Sequence, residues 1–337
     1  MPLLTIAIPT YDRNEMLMKT LGLILPQIGG RDVSVLVIDD ASPEPVGQAV
    51  LAAAEKHGVA AQVRTHRNPS NVGLSANSCR CVELSDGEWV WPLSDDDIPR
   101  PDGVDSILRV LQTVEPECVD IKLSAGGGGG FAHEFSVNGH LEYAALFNTS
   151  PGFFWRDIFM STTVFRRSAY LKNICHAYYG GPPTVIPLII MKILALKSGG
   201  SAQFRKEIVV DPQPVAVGGE ASWDRSDFYC GLTLLDTMTV LSDWAAIAMP
   251  GVTNAIFNFR GKRWFSAASH GLRINFIKPA HVTRFYISWM ACAGGVFFKA
   301  WLALLAFVMP VFHRYPVLRR AALRLAKTAA LARSSRR

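Results

Sequence analysis

Glu88-Trp89-Val90-Trp91-Pro92-Leu93-Ser94-Asp95-Asp96-Asp97-Ile98-Pro99 is an apolar run closed by three adjacent carboxylates. The run is too short for a helix and reads as a buried strand, with the acidic triplet at its carboxyl end. Three neighbouring carboxylates repel one another, so they need solvent or a cation among them. A cation held there can in turn hold a diphosphate. The plainer reading is an acidic turn before a helix that opens near Pro101.

The same grammar repeats on both sides of this stretch. Leu3-Leu4-Thr5-Ile6-Ala7-Ile8 is a strand run closed by Pro9, and residues 33–38 form another, closed by Asp39-Asp40. Residues 61–65 and 119–123 read as further strands. Helical patterns over 13–27, 46–57, 74–84 and 103–114 fall between them. Short apolar strands alternating with helices predict a doubly wound, mostly parallel α/β sheet covered on both faces. Five glycines at 126–130 follow, with no Lys-Ser/Thr after them, so they are not a phosphate loop. They read as a connector between residues 1–124 and a second half, 125–227. In that half, Ser161-Thr162-Thr163-Val164-Phe165-Arg166-Arg167 reads as a strand entering a helix at Ser168. Residues 185–196 read as an apolar helix, 208–210 as a strand and 217–227 as a polar loop. Helical patterns dominate residues 228–337.

The chain has 337 residues, 49% hydrophobic and 18% charged, with a net charge of +6. Its mean hydropathy is +0.19. Eight basic and no acidic residues lie between Arg314 and Arg337, so the rest of the chain is close to neutral. The charge describes a tail rather than a groove, which argues against a nucleic-acid partner. Six cysteines, Cys79, Cys81, Cys118, Cys175, Cys230 and Cys292, show no zinc spacing and read as reduced thiols. Residues 1–10 read as a strand start rather than a signal segment, so the catalytic region is expected in the cytoplasm.

In open parallel sheets, ligands bind beyond the carboxyl ends of the strands. Those ends carry Pro9-Thr10-Tyr11-Asp12-Arg13, Asp39-Asp40-Ala41-Ser42, Asn68-Pro69-Ser70-Asn71-Val72-Gly73 and Ser94-Asp95-Asp96-Asp97. Singly, Asp12, Ser42 and Asn71 are ordinary helix caps. Together the four ends converge on one rim. Tyr11 offers a flat face to a base, Asp39 an acceptor for a base N–H, and Asp12 or Asp40 acceptors for base or ribose. Arg13 and a divalent ion on the triplet would neutralise a diphosphate and stabilise it as a leaving group. No GxGxxG follows the first strand, so a dinucleotide cofactor is not expected.

Thr5-Ile6-Ala7-Ile8-Pro9-Thr10-Tyr11-Asp12-Arg13, Val37-Ile38-Asp39-Asp40-Ala41-Ser42, Asn71-Val72-Gly73-Leu74-Ser75-Ala76-Asn77 and Leu93-Ser94-Asp95-Asp96-Asp97-Ile98 resemble the family 2 glycosyltransferases. The resemblance implies a GT-A fold, a nucleotide-sugar donor, a Mn²⁺ or Mg²⁺ ion and inversion at the anomeric carbon. It implies donor binding by Pro9, Thr10, Tyr11, Asp12, Arg13, Asp39, Asp40, Asn71, Gly73 and Asp95, with Asp96 and Asp97 as metal ligands. The strand at 161–167 resembles the one that lines the family's acceptor site. The Glu-Asp pair that usually follows is missing, for residues 180–187 carry no carboxylate. The base is expected instead among Asp157 and Asp224, with Glu220, Asp227, His133 and His176 as further candidates. Trp155 and Trp223 are candidate sugar platforms or core residues.

Residues 285–312 carry one charge, Lys299, and are broken by Gly294-Gly295 and Pro310. A span using all of them would separate the basic tail from the catalytic region, against the positive-inside tendency. An interfacial or re-entrant helix, or a short hairpin, keeps both on the cytoplasmic side; the plainer reading is a buried helix of the soluble domain. In the tail 314–337, Arg319, Arg320, Arg324 and Lys327 share one arc of a helix, a pattern suited to anionic lipid. The expected protein is a metal-dependent, inverting glycosyltransferase on the cytoplasmic face of a membrane, acting on a glycan or lipid-linked acceptor in polysaccharide biosynthesis. The alternatives are a degenerate membrane-associated nucleotide-binding protein and, more remotely, a nucleotidyltransferase.

Overall fold

The computed structural model describes residues 1–149, 151–180, 186–212, 243, 244, 247, 248, 251, 283, 286, 290, 296–315 and 317–322. Met1–Tyr143 and Trp155–Gly219 form one compact unit; Ala144–Phe154 and Glu220–Arg337 form another.

The first unit is built on β1 (Leu4–Thr10), β2 (Val33–Asp39), β3 (Val63–Arg67), β4 (Trp89–Pro92), β5 (Ile98–Pro99), β6 (Cys118–Ala125), β7 (Phe135–Asn138), β8 (Thr163–Arg166) and β9 (Ser201–Asp211). They make one sheet in the order β3-β2-β1-β4-β8-β6-β9-β5, with β7 also pairing β9. The helices α1 (Asn14–Ile28), α2 (Gly47–Lys56), α3 (Gly73–Leu84) and α4 (Gly103–Leu111) connect the early strands. After them come α5 (His140–Leu146), α6 (Pro151–Asp157), α7 (Arg167–Leu171), α8 (Ile174–Gly180) and α9 (Ile186–Lys197).

β1 and β2 are buried along their whole length, because helices cover both faces of the sheet. Ile6, Ile8, Val35 and Val37 pack with Leu21 and Ile24 of α1 on one face. Ala7, Leu36 and Ile38 pack with Val82 of α3 and Met191 of α9 on the other. Pro9 lies within β1 rather than ending it. Alternation points its missing N–H toward β4, whose pairing with β1 has already closed at Ala7–Pro92.

β1, β2, β3 and β4 pair in parallel, as the sequence predicts. Beyond β4 that expectation is corrected: β8 pairs antiparallel with both β4 and β6, so the sheet is mixed. The β4–β8 register sets Trp89 against Arg166 and Val90 against Phe165. Continued outward, it brings Ser161 opposite Ser94 at the rim. The glycine run turns inside this unit. Gly126 donates its N–H to the Val210 carbonyl, and Gly127 and Gly128 have φ of 67° and 89°, which glycine adopts without strain.

In the second unit, Phe147 packs edge-on against Phe153 at 5.1 Å and Trp244 at 5.3 Å. Its longest described helix is α10 (Val296–Arg314). Pro310 lacks the N–H that would bond the Ala306 carbonyl, and Thr283 Oγ1 donates to that carbonyl instead at 3.1 Å. α10 buries Leu302, Leu305, Ala306 and Met309 and exposes Phe297 and Phe307 at 84% and 81%. Among the described residues, no helix is long and apolar enough to cross a membrane. Within the apolar stretch 285–312, residues before Val296 lie outside the described set except for 286 and 290, as does the tail from 323.

Gly87 shows how tightly the sheet is set. A Cβ there would lie 2.6 Å from the Thr5 nitrogen and 2.8 Å from the Trp89 carbonyl. Gly87→Ala is expected to cost about 1–3 kcal/mol of stability, read as a lower denaturation midpoint in urea. An unchanged midpoint would contradict this packing.

Candidate active site

Four loops meet at the carboxyl ends of the parallel strands, and hydrogen bonds tie each to its neighbour. The Asp12 N–H donates to Ser42 Oγ at 2.9 Å, joining the first loop to the second. Asp40 joins the second to the third: Oδ1 accepts from Asn68 Nδ2 at 2.8 Å and Val72 N–H at 2.9 Å, and Oδ2 from Gly73 N–H at 2.9 Å. Thr10 Oγ1 donates to Asp95 Oδ2 at 2.7 Å, joining the first loop to the fourth. Asp12 and Ala41 adopt φ of 54° and 61°. Left-handed backbone at non-glycine residues is strain, and it gathers at functional sites.

The predicted donor residues therefore come together, with different surroundings. Pro9, Thr10, Asp39, Asp40 and Asp95 are buried, whereas Tyr11, Asp12 and Asn71 are exposed. Asn71 Oδ1 caps the N–H of Gly73 at 2.9 Å, and Gly73 itself turns with φ 82°. Asp39 Oδ1 accepts from the Ser42 N–H at 2.8 Å and Oδ2 pairs with Arg67 Nη1. Burial pushes the Asp39 carboxyl up, but the Ser42 and Arg67 hydrogen bonds outweigh it and hold it below its ordinary value.

The acidic triplet separates into three environments. The Asp95 side chain is 4% exposed and accepts from Thr10 and from Arg13 Nη1 at 2.8 Å. Asp97 turns inward, where Ser161 Oγ donates to its Oδ2 at 2.5 Å. Asp96 stays 30% exposed and accepts from Arg13 Nη1 at 2.9 Å and Ser94 Oγ at 2.5 Å. From α1, Thr20 Oγ1 donates to the Asp95 and Asp97 carbonyls at 3.0 and 3.2 Å, fixing the loop from behind. Ser161 Oγ also accepts the Ser94 N–H at 2.9 Å, and its carbonyl accepts Trp91 Nε1 at 2.8 Å. Burial raises Asp95. Burial, with the charges of Asp96 and Asp95 adding to it, pushes Asp97 up to about 7.

Among the described residues, no three or more His, Cys, Asp and Glu side chains could hold a metal by themselves. An ion shared with a diphosphate needs less, since Mg²⁺ commonly takes one or two carboxylates and completes its shell with phosphate and water. The outward-facing Asp96, beside Asp95 and Arg13, fits such an open site.

Asp157 lies elsewhere, in a buried charge network. Lys192 Nζ bridges Asp120 Oδ1 at 2.7 Å and Asp157 Oδ1 at 2.9 Å. Tyr143 donates to Asp157 Oδ2, and Tyr170 to Asp120 Oδ2 at 2.6 Å. Lys122 Nζ has three acceptors: the Asp157 and Phe159 carbonyls at 2.7 Å and Thr163 Oγ1 at 2.8 Å. His133 and His176 are exposed, and Trp155 is 37% exposed. Glu220, Trp223, Asp224 and Asp227 lie outside the described residues. Sequence reasoning placed Asn68 at the rim without a partner, and missed Thr20, Arg67 and the contact of Ser161 with the acidic loop. The one signal for Ser161 was a hydroxyl run at the mouth of an otherwise apolar strand.

The sequence matches the family model described as Glycosyl transferase family 2 over residues 5–175. No curated protein matches it. Among solved structures it is similar to S. aureus TarS 1–349, at 13% identity and a TM-score of 0.58, covering 98% of this chain and 92% of that one. It is similar to TarS in its longer form at 14% identity and 0.59, covering 95% of this chain and 54% of that one. For TarS 1–349 in complex with UDP the values are 13%, 0.59, 93% and 91%. These likenesses show the GT-A arrangement of sheet and helices.

Asp97 makes the metal-free site sensitive to pH. A carboxyl raised on folding keeps its proton in the fold where the unfolded chain has lost it, so stability falls as pH rises. With EDTA present, stability is expected to fall between the ordinary carboxyl value of 3.8 and about 7. The slope is at most about 1.4 kcal/mol per pH unit for one proton, and Asp97→Asn should flatten it. A variant with the wild-type slope would contradict this.

Proposed function

The chain belongs to glycosyl transferase family 2, whose model matches just over half of it, and from that premise we propose that it transfers a sugar, with inversion, from a nucleoside-diphosphate sugar to a hydroxyl. It is a nucleotide-sugar-dependent glycosyltransferase; inversion, metal dependence and the acceptor class are our reading. The observation that carries it is the division of the acidic triplet, with Asp95 and Asp97 bonded inward and Asp96 facing out beside Arg13.

In this reading Tyr11 stacks on the base and Asp39, flanked by Arg67, accepts a base N–H. Asp12, Asp40, Asn71 and Gly73 shape the nucleoside pocket, with Pro9 and Thr10 forming its floor. Arg13 donates to the diphosphate. Asp96 would hold a Mn²⁺ or Mg²⁺ ion, with Asp97 as its support from behind; when bound, the ion supplies charge neutralisation for the departing diphosphate. UDP, the nucleotide bound by TarS, is the first nucleotide to test, and a UDP-sugar the first donor. Asp157 already accepts from Lys192 and Tyr143, so we take the base from the remaining candidates, with Asp224 our first choice over Glu220 and Asp227. The base takes the hydroxyl proton as the acceptor oxygen attacks the anomeric carbon and the bond to the diphosphate breaks.

The exposed apolar face of α10 and the basic tail 314–337 support a peripheral position on an anionic, cytoplasmic membrane surface. A lipid-linked or glycan acceptor of polysaccharide biosynthesis suits that position.

A nucleoside diphosphate should raise the melting temperature more with Mn²⁺ than without. Asp96→Asn should lower sugar transfer by about a hundredfold or more, and full activity in that variant would contradict the assignment. The full chain should cosediment with anionic vesicles and stay soluble beside phosphatidylcholine vesicles. Equal binding to both would remove the charge argument.

A further inference from the structure

We infer that Arg13 is the internal counter-cation of this site: it holds the acidic loop in the metal-free protein and passes to the donor diphosphate when a divalent ion arrives, so that metal and nucleotide bind cooperatively. The inference rests on the donor site proposed above and concerns the order in which charges meet there.

One nitrogen carries the argument. Arg13 Nη1 donates to Asp95 Oδ1 at 2.8 Å and to Asp96 Oδ2 at 2.9 Å, bridging two carboxylates. The other two oxygens are also taken, Asp95 Oδ2 by Thr10 and Asp96 Oδ1 by Ser94. All four carboxylate oxygens thus accept a hydrogen bond from the protein. A divalent ion would bind such oxygens directly, and it would meet a guanidinium already bonded to the same pair. Two cations on one pair of carboxylates repel each other, so an ion arriving alone must displace Arg13.

The rest of the guanidinium explains where Arg13 goes. Nε and Nη2 make no hydrogen bond to any described residue. Three N–H groups therefore remain for a new acceptor, and the side chain is 20% exposed at the rim. Arg13 is the residue before α1, with φ −139°, and follows the strained Asp12 and the exposed Tyr11. A diphosphate at this rim offers the planar fork a paired acceptor. The nucleotide thus compensates Arg13 for the carboxylates it gives up to the ion, and linkage makes the benefit mutual.

The test is Mn²⁺ binding, read from the free-ion electron paramagnetic resonance signal and by calorimetry, with Mn²⁺ alone and with UDP or GDP added. In the wild-type protein, Mn²⁺ alone should bind weakly and the nucleotide should tighten it. In Arg13→Gln, Mn²⁺ alone should bind roughly tenfold more tightly and the tightening by nucleotide should shrink by a similar factor. Arg13→Lys keeps the charge and lacks the fork, so it should also lose part of the coupling; it carries the test if the glutamine variant does not fold. If Arg13→Gln binds Mn²⁺ no more tightly than wild type and keeps its coupling, the inference is overturned while the donor site stands. If the wild-type protein binds Mn²⁺ neither alone nor with a nucleotide, both the inference and the metal-dependent reading fall.

Discussion

Carboxylates buried at the ends of parallel strands must each find donors, and that requirement organises this site. Asp39, Asp40, Asp95 and Asp97 are all nearly inaccessible, and a buried ionised carboxyl without partners is costly. Asp40 answers with three donors from the third loop, Asp95 with Thr10 and Arg13, and Asp97 with Ser161. Each of these bonds also ties two separate segments together. The rim is thereby preorganised, and one carboxylate of the triplet, Asp96, is left facing out.

The antiparallel β8 links this rim to the second half of the sheet. Its entry segment, Met160–Thr162, is held from below by Lys122, which takes the Asp157 and Phe159 carbonyls and Thr163 Oγ1. From above, Ser161 reaches Asp97 and Ser94. The buried network around Lys192 and the acidic loop thus share one short segment as a common wall. The Asp157 carboxylate is committed to that network through Lys192 and Tyr143.

Much of the first half was legible in the sequence because its signals are local. Each strand is a short apolar run, each helix follows within a few residues, and each strand end carries its polar cluster next in sequence. The mixed sheet was not legible, since the pairing of β8 with β4 joins residues more than seventy positions apart and leaves no periodic trace. β5, of two residues, is too short to stand out. Within the site, the residue types were readable but their division was not. Asp95, Asp96 and Asp97 are identical in sequence, and only burial and the positions of Thr10, Arg13 and Ser161 tell them apart. The family match over residues 5–175 favours the transferase reading over a degenerate nucleotide-binding protein or a nucleotidyltransferase.

The most direct test of the central claim is a crystal structure of the protein with UDP and Mn²⁺. The account predicts the ion on Asp96, bridged to the diphosphate, with Arg13 turned from Asp95 and Asp96 toward the phosphates and the base lying between Tyr11 and Asp39. A nucleotide bound away from the strand ends, or an ion held without Asp96, would contradict it.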